Sequence, residues 1–411
     1  MSVSERRVRV TDLQVGMYVS QLDRPWDGTP FPLQGFRIDT PDEIASLARL
    51  CREVTIDTEL GRAPVERTAL QKLGDGDARS SGQMLDHEHY PLVNDMASEL
   101  PLAAAAMEEV RLQAARVLER LASGVTVHPE ELQAAVSPVV ASVIRNPDAW
   151  FWLAALRRHD NYAYEHAINV CALVTVFGRH LGLPRDRLQR LALAGMLQDV
   201  GMTALPNDLL QQRAPLSQAQ RSRVVGHVEA SLDLLGRQAS IGDDVLEMIA
   251  HHHERHDGSG YPQGLRGNAI PLLARMLGLV DSYHAMCSER PWRAGSSAHD
   301  ALQALYRESD RLFQAELVEQ FSQCLGVYPT GSMVELTSGE VAVVTAQNPA
   351  RRLFPRVTVL THANKQLDPA FRQADLWAER RQVDGQDQRV WVARALPAGA
   401  HGIDPAALFL L

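Results

Sequence analysis

The residues best suited to chemistry form one short stretch, residues 251–262. Three consecutive histidines open it, Glu254 and His256 follow, and it ends in the turn-forming residues 258–262. Imidazole is the commonest side-chain metal ligand, and adjacent histidines at a helix end can reach two neighbouring metal positions. The glycines let a loop approach such metals closely, and Tyr261 offers a face for stacking. This combination predicts a metal-dependent site for an anionic, ring-bearing substrate.

Other ligand-type side chains lie in apolar segments that have the spacing of buried helices. The full set is His166, Asp199, His227, His252, His253 and Asp281. Taken one at a time, each is most simply a histidine or carboxylate satisfied by an ordinary hydrogen bond. Taken together they are hard to satisfy separately, and a buried carboxylate such as Asp199 is costly unless it is paired or binds a cation. The mixture of nitrogen and oxygen ligands suits iron or manganese better than a structural zinc site.

The composition limits the classes of function that are open to the chain. Its 411 residues predict two or three domains, and a net charge of -9, from 41 basic and 50 acidic residues, excludes a global basic field for DNA or RNA. Four cysteines without a CxxC pair indicate reduced thiols. The N-terminus lacks the apolar core of a signal peptide, and no apolar run approaches the ~20 residues of a membrane span. We therefore expect a cytoplasmic protein without a membrane span.

The periodicity of apolar residues predicts the elements that must position these side chains. Short strands and one helix that opens after Thr40 are predicted near the N-terminus, at residues 8–10, 16–19, 31–38, 41–50 and 53–57. Helical spacing then dominates residues 132–326. Four β-type runs follow, at residues 333–336, 341–344, 357–360 and 390–392.

We place the domain boundaries where this character changes. The predicted parts are an N-terminal α+β domain with a polar linker at 1–93, a helical connector at 94–135, a helical domain at 136–328 and a β-rich appendage at 329–411. The helix predicted at 95–121 carries an apolar stripe. One interpretation is that the helix connects domains or forms a dimer contact. The other is that it packs on its own domain, and the sequence supports both equally.

The ligand-type residues and their surroundings resemble the HD-GYP domains, a branch of the HD phosphohydrolase superfamily, over residues 140–325. The matching positions are His166, residues 199–201, His227, residues 252–255, residues 257–262, Asp281, residues 285–286 and residues 290–293. Near the N-terminus, residues 16–19, 22–26 and 34–36 resemble the uncharacterised domain that precedes a subset of these proteins. The resemblance implies a multidomain protein: an all-α HD-type helical bundle core with a small N-terminal α/β domain and a C-terminal β-rich appendage.

The resemblance also implies an activity, the hydrolysis of cyclic di-GMP to pGpG and GMP by a metal-activated hydroxide. Two metals are expected, with a third in some members, and Asp199 would bridge them as the catalytic carboxylate. The remaining metal ligands implied are His166, His227, His252, His253 and Asp281. The residues implied to bind substrate are Arg290 and Arg293 at phosphate and Gly260, Tyr261 and Pro262 at the nucleotide pocket. A planar guanidinium fork suits phosphate geometry; local sequence alone supports a solvated loop equally well, and the motif favours phosphate binding by the two arginines.

Several positions depart from the family pattern. Gln198 stands where the histidine of the His-Asp dyad belongs, Met202 replaces the lysine of the motif, and Tyr162 stands where three-metal members carry a glutamate. A fourth departure, His256 in place of a tryptophan, is minor. A neutral amide is a weaker ligand than imidazole, so one metal position should be weakened.

Two principal hypotheses follow. The protein is a weakened cyclic di-GMP phosphodiesterase, or it is a catalytically inactive module that binds cyclic di-GMP or a partner protein such as a diguanylate cyclase. A structural or homodimerising scaffold is the third alternative, and only the helix at 95–121 supports it.

Overall fold

The computed structural model describes most of the chain, in two compact units that span Met1–Lys72 and Leu73–Leu411. The residues described are 5–10, 13–24, 29, 31, 35–57, 88–155, 162–212, 214–288, 290, 293, 295–348, 353–383, 386–397 and 399–403. Residues 58–87, which include most of the polar linker predicted within 1–93, therefore lie outside the described residues. None of the helices described is long and apolar enough to cross a membrane.

The first unit is a small antiparallel sheet that carries one helix. Its elements are strands β1 (Glu5–Arg9), β2 (Tyr18–Leu22), β3 (Phe36–Arg37) and β4 (Glu53–Asp57) and helix α1 (Pro41–Leu50), with strand order β1-β4-β2-β3. Thr40 caps α1, and the carboxylate of Glu43 accepts the Thr40 backbone N–H at 2.9 Å. Val19, Ile56 and Leu47 are fully buried between sheet and helix. The mixed N-terminal organisation predicted from the sequence is confirmed.

The second unit begins with a bundle of helices, as the sequence predicted. They are α2 (Met96–Ala122), α3 (Pro129–Arg145), α4 (Pro147–Ala155), α5 (Tyr162–His180), α6 (Arg185–Leu197), α7 (Asn207–Leu210), α8 (Gln218–Val225), α9 (His227–Leu235), α10 (Asp243–His251), α11 (Leu272–Cys287), α12 (Ala298–Arg307) and α13 (Ala315–Leu325). Short 3₁₀ turns lie at Val200–Ala204, Gly267–Ala269 and Ala400–Gly402.

Helices α5 and α11 form the centre of this bundle. They pack on each other, and α5 also packs on α6. Between residues 166 and 177 every side chain of α5 is buried, as are residues 276–281 of α11. Helices that are buried on all sides need apolar residues all round. The few polar side chains that these helices carry, such as His166 and Asp281, therefore lie inside the protein.

Helix α2 packs on its own unit through one apolar stripe. The stripe predicted from the sequence is buried, and it consists of Met107, Val110, Ala114, Val117 and Leu121. Helices α3 and α4 are its main neighbours. Of the alternatives left open by the sequence, packing within the domain describes this face of the helix. The predicted connector at residues 94–135 and the predicted dimer contact both stay predictions.

A buried carboxylate holds α2 to α3. Glu99 is fully buried, and the guanidinium of Arg145 donates to its two oxygens from Nε at 2.9 Å and from Nη2 at 2.8 Å. Ser142 Oγ at 2.8 Å and Asn94 Nδ2 at 2.7 Å complete its hydrogen bonds. Burial raises the pKa of Glu99, but these hydrogen bonds, chiefly those from Arg145, outweigh it and leave the pKa below its ordinary value.

An antiparallel sheet follows the helices, and the predicted β-rich appendage is confirmed. Its strands are β5 (Met333–Leu336), β6 (Val341–Ala346), β7 (Arg356–Val359), β8 (Gln373–Asp375), β9 (Arg380–Val383), β10 (Gln386–Arg389) and β11 (Val392–Leu396). Five of them form a sheet in the order β11-β5-β6-β7-β8, and β9 and β10 form a separate hairpin. The sequence did not predict β8, β9 and β10, because these short strands are largely polar. It also placed β11 too early, at residues 390–392, whereas the strand spans Val392–Leu396.

We predict that Glu99→Ala lowers the free energy of unfolding of the helical unit by about 1–3 kcal/mol, because Ser142 and Arg145 lose their buried hydrogen-bond acceptor while the Arg145 side chain, 31% exposed, can still be solvated. Since the folded-state pKa of Glu99 is depressed, this stabilisation is present above the ordinary carboxyl pKa and is lost as the pH falls. Urea denaturation followed by circular dichroism measures both effects. The matched control is Glu109→Ala on the exposed side of the same helix, which should change stability by less than about 0.5 kcal/mol. Equal losses in the two variants would contradict the prediction.

Candidate metal centre

The fold brings the six predicted ligand residues together from five helices. His166 comes from the first turns of α5, Asp199 follows the end of α6, His227 opens α9, His252 and His253 follow α10, and Asp281 lies in α11. Among the described residues, these six form two overlapping groups that could hold a metal ion. Within each group, one candidate ligand atom per residue lies within 4.8 Å of all the others.

The first group is rich in nitrogen and consists of Asp199, His227, His252 and His253. Oδ1 of Asp199 lies 3.2 Å from Nε2 of His227 and 3.8 Å from Nε2 of His252. The ring of His253 stacks obliquely on that of His252, with centroids 4.0 Å apart. The three imidazoles therefore converge on one side of a single carboxylate.

The second group is richer in oxygen and consists of His166, Asp199 and Asp281. Nε2 of His166 lies 2.9 Å from Oδ1 of Asp281 and 3.5 Å from Oδ2 of Asp199. Asp199 thus presents one oxygen to each group. Geometrically, its carboxylate is the bridge between them.

Several buried polar atoms at the site make no hydrogen bond, and they indicate whether these residues can hold a cation. Oδ1 of Asp199, Nε2 of His227 and Nε2 of His252 are all buried and make no hydrogen bond, despite their proximity. Buried polar atoms are normally paired, so a convergent group of unpaired acceptor-type atoms calls for a bound species. The residues present fit a divalent cation held by nitrogen and oxygen ligands.

The backbone fixes the orientation of two of the imidazoles. Nδ1 of His227 lies 2.6 Å from the carbonyl oxygen of Val224, and Nδ1 of His252 lies 2.7 Å from that of Ile249. A carbonyl only accepts, so each Nδ1 carries a hydrogen, and in the neutral ring each Nε2 is left with a lone pair. This is the arrangement that metal-ligating histidines adopt.

The local electrostatics favour the ligand forms of the carboxylates. Burial raises the pKa of Asp199, but the neighbouring imidazoles of His227 and His252 outweigh it and hold the pKa well below its ordinary value. Burial also raises the pKa of Asp281, but the hydrogen bond from His166 outweighs it and lowers that pKa. Burial and the nearby His252 depress the pKa of His253. At neutral pH the site therefore contains ionised carboxylates and a neutral His253.

Gln198, which replaces the histidine of the family dyad, is buried at the same site. Its Nε2 donates to Oδ1 of Asp281 at 2.8 Å, whereas its Oε1 is buried without a hydrogen bond. Oδ1 of Asp281 is therefore approached by two nitrogens, from Gln198 and from His166. Met202 is half-buried, and the side chain of Tyr162 lies outside the described residues.

The loop with Gly260, Tyr261 and Pro262 borders the first group. The Tyr261 ring lies against His253 with centroids 4.7 Å apart, and a cis peptide bond joins Tyr261 to Pro262. A Cβ on Gly260 would come within 2.4 Å of the His253 carbonyl oxygen, so only glycine allows this close approach. Tyr261 therefore lies where a ring bound beside the histidines could stack on it.

The two arginines predicted to bind phosphate lie beyond the end of α11. Arg290 and Arg293 pair through their backbones, and Nη2 of Arg293 donates to the carbonyl oxygens of Ala285 at 2.6 Å and Met286 at 3.2 Å. Those carbonyls belong to the last turn of the helix, whose partial negative charge attracts cations. Residues 289, 291, 292 and 294 lie outside the described part of the chain. Phosphate binding by either arginine stays a prediction.

The sequence reasoning assigned no role to two residues that contact the site, Glu254 and His284. The buried carboxylate of Glu254 accepts the backbone N–H groups of residues 263, 264 and 265, at 2.7, 3.1 and 3.0 Å, and so shapes the loop beyond Tyr261. Nδ1 of His284 lies 2.9 Å from Nδ1 of His166. For His284 the signal was present, because it follows Asp281 by three residues on one helix face. For Glu254 no local pattern distinguishes a loop-forming acid from a surface one.

Family models match both parts of the chain for which a family was expected. A model described as the HD domain matches residues 152–317, and a model described as a domain of unknown function (DUF3391) matches residues 5–132. The first match contains all six ligand residues.

Individual proteins are also similar to the chain. It is 32% identical over 387 residues to a protein named cyclic di-GMP phosphodiesterase PA4108 from Pseudomonas aeruginosa, and the match covers 90% of this chain and 89% of that protein. It is 33% identical over 176 residues to the cyclic di-GMP phosphodiesterase response regulator RpfG of Xanthomonas campestris pv. campestris, covering 41% of this chain and 46% of that protein. The solved structure of Bd1817, an HDG"Y"P protein from Bdellovibrio bacteriovorus, covers 78% of this chain and 99% of its own with 15% identity and a TM-score of 0.46.

The Pseudomonas protein decides the assignment, since its identity of 32% extends over 90% of this chain and 89% of its own. Among the motif residues that carried the resemblance, the six candidate ligands lie together around the carboxylate of Asp199. This chain belongs to the HD-GYP family of HD-domain phosphohydrolases.

Proposed function

We propose that this protein hydrolyses cyclic di-GMP to pGpG and GMP at a two-metal centre, with an activity weakened by Gln198. The single observation that carries the proposal is the position of Asp199, whose two oxygens face two separate groups of candidate ligands. Relatives named as cyclic di-GMP phosphodiesterases support this choice of substrate.

In this proposal the chain's own residues hold and orient the reacting groups. His227, His252 and His253 would hold one cation, His166 and Asp281 would hold the other, and Asp199 would contribute to both sites. Such cations would neutralise the phosphodiester charge and supply an activated water. In the hydrolysis, an oxygen from water forms a new bond to phosphorus, the bond from phosphorus to the 3′-oxygen breaks, and that oxygen takes up a proton.

The residues that bind the nucleotide are proposed to surround this centre. Tyr261 stacks on a guanine, while Gly260 and Pro262 give the loop its close approach to the histidines. Arg290 and Arg293 contact phosphate. For Arg293 this requires its guanidinium to leave the carbonyls of Ala285 and Met286.

Iron and manganese are the metals proposed, because three or four imidazoles combined with carboxylates suit these ions. The second group is the weaker site. Its ligand Asp281 receives a hydrogen bond from Gln198 through Oδ1, which competes with a cation for the same oxygen. Partial occupancy of this site would account for a weakened activity.

An inactive module that binds cyclic di-GMP, or a partner such as a diguanylate cyclase, is the second candidate. The observation in its favour is the same Gln198–Asp281 hydrogen bond, which satisfies a ligand oxygen without any metal. The loop around Tyr261 is independent of that bond, so nucleotide binding could persist without turnover.

We predict that Asp199→Ala abolishes both metal retention and turnover. Losing the bridge removes several kcal/mol of transition-state stabilisation, so that pGpG formation should fall by roughly a thousandfold or more. Metal content is measured by mass spectrometry, and product formation by chromatography after incubation with cyclic di-GMP and Mn²⁺. Asp208→Ala, at an exposed position of α7, is the matched control and should leave both unchanged. Undiminished turnover in Asp199→Ala would refute the bridging role.

We predict that Gln198→His raises the metal content and the rate of hydrolysis. The substitution removes the amide donor from Oδ1 of Asp281 and supplies an imidazole, and one recovered ligand interaction of about 1.4 kcal/mol corresponds to about tenfold in rate. The same assays apply, with Gln218→His on the exposed face of α8 as the control. An unaltered protein without turnover that gains it through Gln198→His would favour the inactive-module candidate. An unchanged rate in an active protein would show that Gln198 does not limit hydrolysis.

A further inference from the structure

His166 differs from His227 and His252 in the partner of its second ring nitrogen. The Nδ1 atoms of His227 and His252 face backbone carbonyls, which can only accept a hydrogen bond. Nδ1 of His166 instead lies 2.9 Å from Nδ1 of His284. An imidazole nitrogen can donate or accept, depending on the tautomer. The backbone therefore fixes the proton position in two of these histidines but leaves that of His166 to a side chain.

One helix contacts both nitrogens of the His166 ring. Asp281 and His284 lie three residues apart on α11; Oδ1 of Asp281 is 2.9 Å from Nε2 of His166, and His284 takes the opposite nitrogen. The two imidazole centroids are 4.9 Å apart, and His284 is half-buried. One turn further along the helix, Ser288 Oγ donates to the His284 backbone oxygen at 2.8 Å and also lies 3.4 Å from Nδ1 of His284. His284 is thus held against His166 by the same helix that carries a candidate ligand.

For a neutral His166 ring, the hydrogen bonds admit two arrangements. In one, Nε2 carries the hydrogen and donates it to Asp281, while Nδ1 accepts from His284. In the other, Nδ1 carries the hydrogen and donates it to His284, which leaves a lone pair on Nε2. A metal ligand needs that lone pair, so only the second arrangement can bind a cation. His284 must then carry its own hydrogen on Nε2.

We infer that His284 is a positioning residue that accepts the Nδ1 hydrogen of His166 and thereby presents the Nε2 lone pair to a divalent cation held with Asp199 and Asp281. This inference rests on the proposed function, because it requires a cation in the second group. His284 itself belongs to neither candidate group among the described residues. We therefore expect its effect on the metal to pass through His166.

Three substitutions of His284 separate this role from a packing role. His284→Leu can neither donate nor accept, His284→Asn can do both through its amide, and His284→Asp as a carboxylate can only accept. The matched control is His299→Leu, which removes another half-buried histidine from the neighbouring helix α12. The protein is expected to have one tighter and one weaker class of Mn²⁺ site, and His166→Ala shows which of the two corresponds to the second group. Each full-length protein is stripped of metal and titrated with Mn²⁺, with free Mn²⁺ counted from its electron paramagnetic resonance signal.

The unaltered protein should bind two Mn²⁺ ions, and His166→Ala should lose the weaker class. His284→Leu should weaken that class by about 10–100-fold, the usual effect of removing a partner of a metal-ligating histidine, and leave the tighter class unchanged. His284→Asn should bind much as the unaltered protein does. His284→Asp should bind at least as tightly as the unaltered protein, because an acceptor-only partner enforces the productive tautomer. His299→Leu should change neither class.

The inference would be overturned if His284→Asp weakened the weaker Mn²⁺ site as much as His284→Leu does. That result would mean that any change of side-chain shape at this position disturbs the site. Unchanged Mn²⁺ binding in His284→Leu would overturn it as well. Thermal unfolding of the metal-free variants checks their folding, and if His284→Leu does not fold, the order of His284→Asp and His284→Asn decides. Failure of the proposed function has a different signature: the unaltered protein binds no Mn²⁺, or His166→Ala retains both classes.

Discussion

The bridging position of Asp199 is the constraint on which the rest of the helical unit depends. Its two carboxylate oxygens face imidazoles from α5, α9 and the end of α10, and burying such a carboxylate without compensation costs several kcal/mol. The neighbouring imidazoles compensate part of that cost, which is why the pKa of Asp199 is depressed despite burial. The unpaired atoms that remain point to a cation as the missing part of the compensation.

The helices supply the rigidity that this arrangement requires. The chain after α10 approaches α11 so closely that a Cβ on Gly278 would lie 2.2 Å from the His252 carbonyl oxygen. Gly201, just after Asp199, is equally confined, because a Cβ there would lie 2.2 Å from the His227 carbonyl oxygen. These contacts fix backbone segments that carry ligands, so the site is built on packed elements and not on free loops. The glycines of the motif thus serve packing as much as turning.

The residues around the ligands divide into those that the backbone orients and those that side chains orient. His227 and His252 belong to the first kind, and His166 belongs to the second through His284. Gln198 adds another side-chain partner on Asp281. Both Gln198 and His284 therefore act around the second group, where side chains can change hydrogen-bond roles without any change in the fold.

The sequence by itself determined the types of the ligands, the helical setting of His166 and Asp281, the β-rich character after residue 329 and the family. Ligand types and apolar periodicity are local properties, and long motifs such as residues 251–262 survive in the primary structure. The polar strands β8, β9 and β10, the loop-forming role of Glu254 and the pairing of His284 with His166 were decided by the tertiary structure. Each depends on partners brought together by packing: His284 and His166 are separated by 118 residues, and Gln198 and Asp281 by 83. No local pattern encodes which buried polar atoms will meet, because the packing of helices, and not their periodicity, sets those distances.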